Sequence, residues 1–574
     1  MYTKLFASIR EYKRPSLEAP VYVSLEVVME CLIPFIVARL VNQVRAGCSL
    51  GELFRDGGIL VVMAFMSLWF GILAGNACST ASCGFARNLR SDMFRAVQKF
   101  SFANIDKFSA ASLITRITTD VANVQQAYMM LVRTVIRGPL MVVFACVMAF
   151  VMGGRTAWVY LGVVPFLALG LFGIARYAMP VFRRLFVKYD RLNESIQENV
   201  QGVRVVKAFV REDFEKEKFA RAAGELCGDF TRAERVLAFN NPIMQLSMYT
   251  VTLFILYYGT YRVVVSRGLD LNVGQISALM TYGVQILGSL MRMSMVFVMV
   301  TLARESAVRI VEVLEEVPEI TSPADGLSEV ADGSIEFEHV SFSYGEGTFA
   351  LHNVNIRIAS GETVGIIGGT GSSKTTLVQL IPRLYDASQG VVRVGGHDVR
   401  NYDIEALRNN VAVVLQKNEL FSGTIRENLL WGNKNATDAE IREVCRIACA
   451  DEFIDRLPQK LDTWTEQNGT NLSGGQKQRL CLARALLKKP KVLILDDSTS
   501  AVDTHTDAKI RSGLREYMPG ATKIIIAQRI LSVQDADRII VMDKGEVDAV
   551  GTHEELLKSC EIYGEIYASQ NREF

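Results

Sequence analysis

The run Gly368-Gly369-Thr370-Gly371-Ser372-Ser373-Lys374-Thr375-Thr376 sets small residues, a lysine and two hydroxyls side by side. A β-rich apolar stretch, Thr363–Ile367, leads into it, and an apolar helical stretch leaves it. In that setting the spacing suits one kind of chemistry, the cradling of nucleotide phosphates. Backbone N–H groups and the helix N-terminus face the anion, Lys374 reaches the β- and γ-phosphates, and the Thr375 hydroxyl ligates Mg²⁺. One position departs from the pattern. Ser373 stands where a glycine is expected before the lysine, and serine enters a tight loop only where its φ and ψ allow. Further along, Lys491-Val492-Leu493-Ile494-Leu495-Asp496 reads as a buried strand ending in a carboxylate, placed to join the Mg²⁺ shell. Between the two, Leu472-Ser473-Gly474-Gly475-Gln476 forms a Gly-rich turn before a helix with Lys477, Gln478 and Arg479, a second anion-binding start. Each motif is common alone; the three in this order are specific.

These residues need a scaffold. Short β-rich runs at Ser334–Val340, Thr363–Gly368, Ala412–Leu415, Val492–Leu495, Lys523–Ala527 and Arg538–Met542 alternate with helical stretches. That alternation argues an α/β domain with a largely parallel sheet. It fills only the second half of the chain. Before residue 301 lie six apolar stretches, at about 17–42, 58–80, 128–152, 156–179, 243–265 and 274–300. Each is long enough for the roughly 20 apolar residues that span a bilayer, and lipid leaves the backbone no partner outside a helix. The expected architecture is a six-helix transmembrane domain at 1–320, a linker at 321–332 rich in Pro, Gly and Ser, and an α/β nucleotide-binding domain at 333–574.

Whole-chain composition conceals this division. The 574 residues are 50% apolar and 21% charged, which excludes a disordered chain, and the net charge of +1 argues against a nucleic-acid binder only at face value, before the two halves are separated. Residues 1–320 carry 34 Lys and Arg against 25 Asp and Glu; the remainder carries 28 against 36. The basic excess is concentrated in polar segments 81–127 and 180–240, which hold 18 Lys and Arg against five in the loops 43–57, 153–156 and 262–273. Positive-inside bias places those segments, and with them both termini, in the cytoplasm. Lys4, Arg10, Lys13 and Arg14 beside Leu5, Phe6 and Ile9 suggest an interfacial helix rather than a cleaved signal. Ten cysteines without CxxC or zinc spacing, Cys445 and Cys449 included, read as buried small apolar side chains.

Charges within the spans are the candidates for transport chemistry. Glu26 and Glu30 lie one turn apart in the first span and Arg292 lies in the sixth. They read as a structural ion pair with Arg292, as a carboxylate pair facing substrate that would favour amphipathic cations, or as charges lying near the membrane interface. Met280, Met291, Met293, Met295 and Met299 read as packing, with a polyspecific cavity as the alternative.

Taken together, these motifs resemble the ATP-binding cassette (ABC) exporters in half-transporter form, over essentially the whole chain. The resemblance implies several roles. Tyr344 corresponds to the aromatic that stacks on adenine. Gln416 corresponds to the glutamine joining the Mg²⁺ site to the membrane domain. Leu472–Gln476 matches the family signature letter for letter, and Ser500-Ala501-Val502-Asp503 the loop crossing the dimer interface. Asp106-Lys107-Phe108 through Arg116, and Val206-Lys207-Ala208-Phe209 through Glu212, resemble the loops whose short coupling helices touch the cassettes.

Two departures accompany Ser373. After Asp496 the family has a catalytic Glu, and here it is Asp497. After Lys523–Ala527 the family has a His that contacts the γ-phosphate, and here it is Gln528, with His505 and His553 outside that slot. Asp is a methylene shorter, and glutamine carries no charge near neutral pH. In this family two cassettes pair head to tail, each ATP lying between one chain's phosphate loop and the other's signature. The resemblance therefore implies a heterodimer in a bacterial cytoplasmic membrane. This chain would supply a weak catalytic face and a sound signature to a partner carrying the competent Glu and His. A homodimer, an ATP-gated channel or regulatory subunit, and an importer on the exporter fold are the alternatives. Drug, lipid, peptide and metabolite remain open as substrates.

Overall fold

The computed structural model describes residues 2–571 apart from Glu346 and Thr499. Two compact units emerge. One comprises the residues up to Gln98 together with Ser109–Glu316; the other comprises Lys99–Phe108 together with the chain from Val317 onward.

All six apolar stretches are helical. The main helices of the first unit are α1 (Lys13–Ala46), α2 (Leu50–Gln98), α4 (Val121–Gly153), α5 (Trp158–Gln201), α6 (Glu212–Leu237), α7 (Asn240–Phe254) and α8 (Val273–Glu315). Among the described residues, four helical runs are long and apolar enough to cross a membrane: Arg10–Ala46, Leu50–Gln98, Ala110–Ala178 and Val273–Glu315. The third run holds both the 128–152 and the 156–179 stretch, divided at Gly154, whose φ of 48° and ψ of −120° break the helical path. The fifth stretch is interrupted. α7 opens into a wider π turn, Ile255–Gly259, before a short helix, Thr260–Val265.

Small residues let these helices approach, as expected where no hydrophobic effect drives helix association. A Cβ on Gly274 would sit 2.1 Å from the Ala38 carbonyl oxygen, and one on Gly138 would sit 2.4 Å from Met293. Met280 also packs on this core, whereas Met295 and Met299 are exposed. The N-terminal segment is tied to its neighbours. Leu5 is buried, and Ser8 and Arg10 both bond Asp92 of α2, at 2.8 and 2.6 Å.

The expected ion pair is corrected here. Glu26 and Glu30 do not pair with Arg292; they share Arg137 of α4, at 2.5 and 2.7 Å. Arg292 instead donates to the Ser289 hydroxyl at 3.2 Å. Arg133 and Arg137 lie within the third apolar stretch and were overlooked because their surroundings are so apolar.

The second unit carries the strands β1 (Ile335–Phe342), β2 (Leu351–Ile358), β3 (Thr363–Gly368), β4 (Gln389–Val394), β5 (His397–Asp398), β6 (Val411–Val414), β7 (Gly423–Thr424), β8 (Trp464–Thr465), β9 (Val492–Asp496), β10 (Thr522–Ile526), β11 (Arg538–Asp543) and β12 (Glu546–Gly551). The central sheet has order β12-β11-β3-β10-β9-β6 and is parallel except for β12. β9 and β10 are buried along their whole length, which explains the apolar runs Val492–Leu495 and Ile524–Ile526. Ser334–Val340 does not join this sheet, contrary to a single-sheet reading. It forms β1 of a separate antiparallel sheet ordered β2-β1-β4-β5.

Within this unit a short helix, α3 (Phe102–Phe108), docks through aromatic and polar contacts. Phe102 meets Tyr385 edge-on, the Tyr385 hydroxyl donates to Asp106 at 2.6 Å, and the Asn104 amide donates to the Val317 carbonyl at 3.2 Å. Burial and the Asp106 charge both push the Tyr385 phenol up.

Candidate nucleotide site

β3 delivers the chain to Gly368, and the helix α9 (Lys374–Gln379) takes it away. Between them the phosphate loop turns back on itself. The buried Ser372 hydroxyl donates to the Gly369 carbonyl at 2.9 Å. Gly371 has φ +84°, a region open to glycine, and Ser373 has φ 67° and ψ 25°, also left-handed. Serine thus adopts the conformation that the loop demands, at a cost of roughly 1–2 kcal/mol for a residue with a Cβ. Thr370, between Gly369 and Gly371, is exposed. Lys374 folds over the loop and donates to the carbonyls of Gly368 and Gly369 at 2.9 and 2.8 Å. Burial lowers its pKa, while Asp496 and Asp497 oppose that shift.

Parallel pairing sets β9 beside β10 and β10 beside β3, so the strand ends converge. Thr375, in the first turn of α9, donates from its hydroxyl to Asp496 Oδ1 at 3.1 Å. Asp496 is 2% exposed, and its buried Oδ2 has no hydrogen-bond partner among the described residues. Burial raises its pKa, partly offset by the Thr375 bond. A buried carboxylate oxygen with an open lone pair beside a hydroxyl fits a hard cation such as Mg²⁺, which binds one or two carboxylates plus substrate phosphates. Among the described residues no cluster of three His, Cys, Asp or Glu side chains would hold a metal without such help.

Asp497 also has a left-handed backbone, with φ 47°. Its side chain is engaged from two directions. Gln528 Nε2 donates to Asp497 Oδ2 at 3.1 Å. Burial raises the Asp497 pKa, and a hydrogen bond from the Gln416 side chain works against that rise. Tyr344 is 56% exposed, and its hydroxyl bonds that of Thr376 at 2.9 Å. The structure therefore gathers Tyr344, the loop from Gly368 to Thr376, Gln416, Asp496, Asp497 and Gln528 around one end of the sheet.

The signature residues form a second group. Ser473 caps the helix α10 (Gly474–Leu486) in a reciprocal box with Gln476. A Cβ on Gly475 would lie 2.8 Å from the Ala501 carbonyl oxygen, which is why this glycine fits. Asp503 caps the helix α11 (Thr504–Tyr517) by accepting from Thr506 N at 2.9 Å. Sequence reasoning missed the link between the groups, Gln478. Its amide accepts from Ala501 N at 3.1 Å and donates to the Ser500 hydroxyl, which in turn donates to the Asp497 carbonyl at 2.9 Å. The available signal was a second glutamine, two residues past the signature in the same helix. His553 bonds the Tyr563 hydroxyl at 2.7 Å, within the C-terminal helices, and does not supply the missing γ-phosphate contact.

Comparisons with known proteins agree with this geometry. Residues 23–290 match the family of the ABC transporter transmembrane region, and residues 351–500 match the ABC transporter family. The chain is 36% identical over 547 residues to the uncharacterized ABC transporter ATP-binding protein YfiB of Bacillus subtilis, covering 95% of this chain and 94% of that one. It is 32% identical over 489 residues to an ATP-dependent lipid A-core flippase of Desulfotalea psychrophila, covering 84% of each. The fold superposes on a bacterial Atm1-family ABC exporter solved with ATP bound, with TM-score 0.83, 24% identity and 98% of both chains covered. A helical membrane region fused to a cassette that hydrolyses ATP to drive transport thus stands in one polypeptide, and the chain belongs to the ABC transporter family.

Proposed function

We propose that this chain is one half of a heterodimeric ATP-driven exporter and contributes the weaker of two catalytic faces. The observation that carries the reading is the 3.1 Å bond between Gln528 and Asp497. The two substituted positions occupy one another. A carboxylate already a methylene short accepts from an amide, so one oxygen is less free to take a proton from, or orient, an attacking water. A displacement of roughly 1 Å at such a group can cost about 10²-fold in rate. The well-capped signature helix and its Gln478 link support the second part of the reading, a sound signature offered to the partner's ATP.

In this reading Lys374 moves from its own loop carbonyls to the β- and γ-phosphates, and Tyr344 stacks on adenine. Thr375, Asp496 and Gln416 would hold Mg²⁺, which would supply the shielding of phosphate charge. The signature Ser473–Gln476 faces the nucleotide of the partner chain, and Asp503 shapes the crossing loop. The membrane domain spans 1–320 with six crossings and cytoplasmic termini, a linker covers 321–332, and the nucleotide-binding domain covers 333–574. The boundary between compact units at Glu316 supports this division. ATP closes the cassettes and the spans turn from inward- to outward-facing.

Purified alone in lipid, the chain should hydrolyse ATP slowly, and turnover of the assembled pair should stop when the partner's catalytic glutamate is removed. Robust turnover by the lone chain, abolished by Asp497→Asn, would overturn the heterodimer.

A further inference from the structure

Arg133, Thr134, Arg137, Gly138, Ser289 and Arg292 line a cavity of about 250 Å³ between α4 and α8. Its three guanidiniums differ in how they are satisfied. Arg137 is held by Glu26 and Glu30 of α1. Arg292 has only the Ser289 hydroxyl, at 3.2 Å, and neither it nor Arg133 meets a carboxylate among the described residues. The five ionised groups therefore leave one net positive charge inside apolar spans. Charge at that depth is costly unless something pairs with it, and intramembrane ionisable residues mark substrate paths.

We propose that this cavity is the substrate headgroup site and that it takes an amphipathic anion, a phosphate or similar oxyanion on an apolar tail. The inference rests on the transporter reading above and adds the substrate class. Guanidinium forks match oxyanions in a bidentate way that a point charge does not. Thr134 and Ser289 add hydroxyls. An apolar tail suits the helices that carry the lining, since Leu131, Val135 and Met295, each within three residues of a lining residue along α4 or α8, are exposed. Glu26 and Glu30 play the opposite role to the one their sequence suggests. Arg137 takes Glu26 Oε1 and both Glu30 oxygens, so a cationic substrate would have to displace it from either carboxylate or reach the buried Glu26 Oε2, and the effect of the pair is to fix Arg137 at the cavity wall.

The full chain in phosphatidylcholine nanodiscs provides the test, read as equilibrium binding of radiolabelled decyl phosphate. Saturable binding is expected, with decyltrimethylammonium failing to compete. Inorganic phosphate should compete at least about a hundredfold more weakly, since the tail is part of the recognition. The double variant Arg133→Gln/Arg292→Gln should weaken binding at least about tenfold, close to 1.4 kcal/mol. Arg133→Lys/Arg292→Lys, which keeps the charge, should retain affinity between the two. Mg–ATP binding reports that each variant is folded. Equal competition by the cation, or unchanged affinity in the Gln double variant, overturns the proposal. Inorganic phosphate binding as tightly as decyl phosphate removes the amphiphile. Because binding is read without turnover, these outcomes are independent of whether the lone chain or the pair hydrolyses ATP.

Discussion

Asp497 and Gln528 restrain each other, and the restraint can be reversed one side chain at a time. With the partner's catalytic glutamate silenced, Asp497→Glu in this chain should raise ATP turnover at its own phosphate loop by at least about tenfold, since the lost reach is worth about 10²-fold. Adding Gln528→His should raise it further. A flat response in phosphate-release assays would mean that the Ser373 loop, not the carboxylate, limits the site. Asp496 makes a different prediction. Burial raises its carboxyl above the ordinary carboxylate range. The folded state therefore holds this proton more tightly than the unfolded chain. The associated stability is present below the unfolded value and is lost as pH rises through the folded one. At neutral pH the ionised, half-satisfied Asp496 is a burden on the nucleotide-free cassette. Asp496→Asn should raise the melting temperature without nucleotide and flatten its decline just above the ordinary carboxylate range. Mg–ATP at a hundredfold excess over Kd should stabilise the wild type by about 2.7 kcal/mol in all, and the same variant should lose the Mg²⁺-dependent part of that. Calorimetry with and without Mg–ATP reads both.

At the scale of elements, two cross-links have no local sequence signature. Arg137 of α4 bridges two glutamates of α1. Arg137→Gln leaves two carboxylates facing one another in the membrane wall, and should cost about 3–5 kcal/mol, as breaking a buried pair does. Folded yield should fall sharply and recover in the triple variant that also carries Glu26→Gln and Glu30→Gln. The second cross-link fastens α3 through Tyr385 and Asp106. Tyr385→Phe should loosen α3 by about 1 kcal/mol, the net worth of such a bond. Hydrogen exchange over residues 102–108 should then quicken several-fold. The sequence made the central strands legible because β3, β9 and β10 are buried on both faces and so carry the apolar runs Ile366–Ile367, Val492–Leu495 and Ile524–Ile526. β2 and β12 escaped notice because half their residues face water. The phosphate loop, Asp496 and the signature were legible because their chemistry is local. Arg137, Gln478 and Tyr385 were not, because their partners are far away along the chain.

For the whole molecule, the net charge of +1 is a cancellation between a basic membrane half and an acidic cassette half. It says nothing about partners. The proposed pair does predict an asymmetry in assembled material. Nucleotide trapped at this chain's phosphate loop should exchange more slowly than nucleotide at the partner's, which photo-crosslinking of labelled ATP to each subunit can measure. Equal labelling and release at both would count against unequal faces.

The compact unit that holds the cassette also includes Lys99–Phe108, drawn from far upstream. A cassette cut free at residue 317 would leave Tyr385 without Phe102 and without its carboxylate acceptor, Asp106, though Phe342 and Tyr344 would remain beside it. Grafting a cassette from one relative onto the membrane half of another would likewise join an α3 from one lineage to a docking surface from another. The working module is therefore discontinuous in the gene. Recombination between relatives should be tolerated when it carries both pieces and penalised when it separates them.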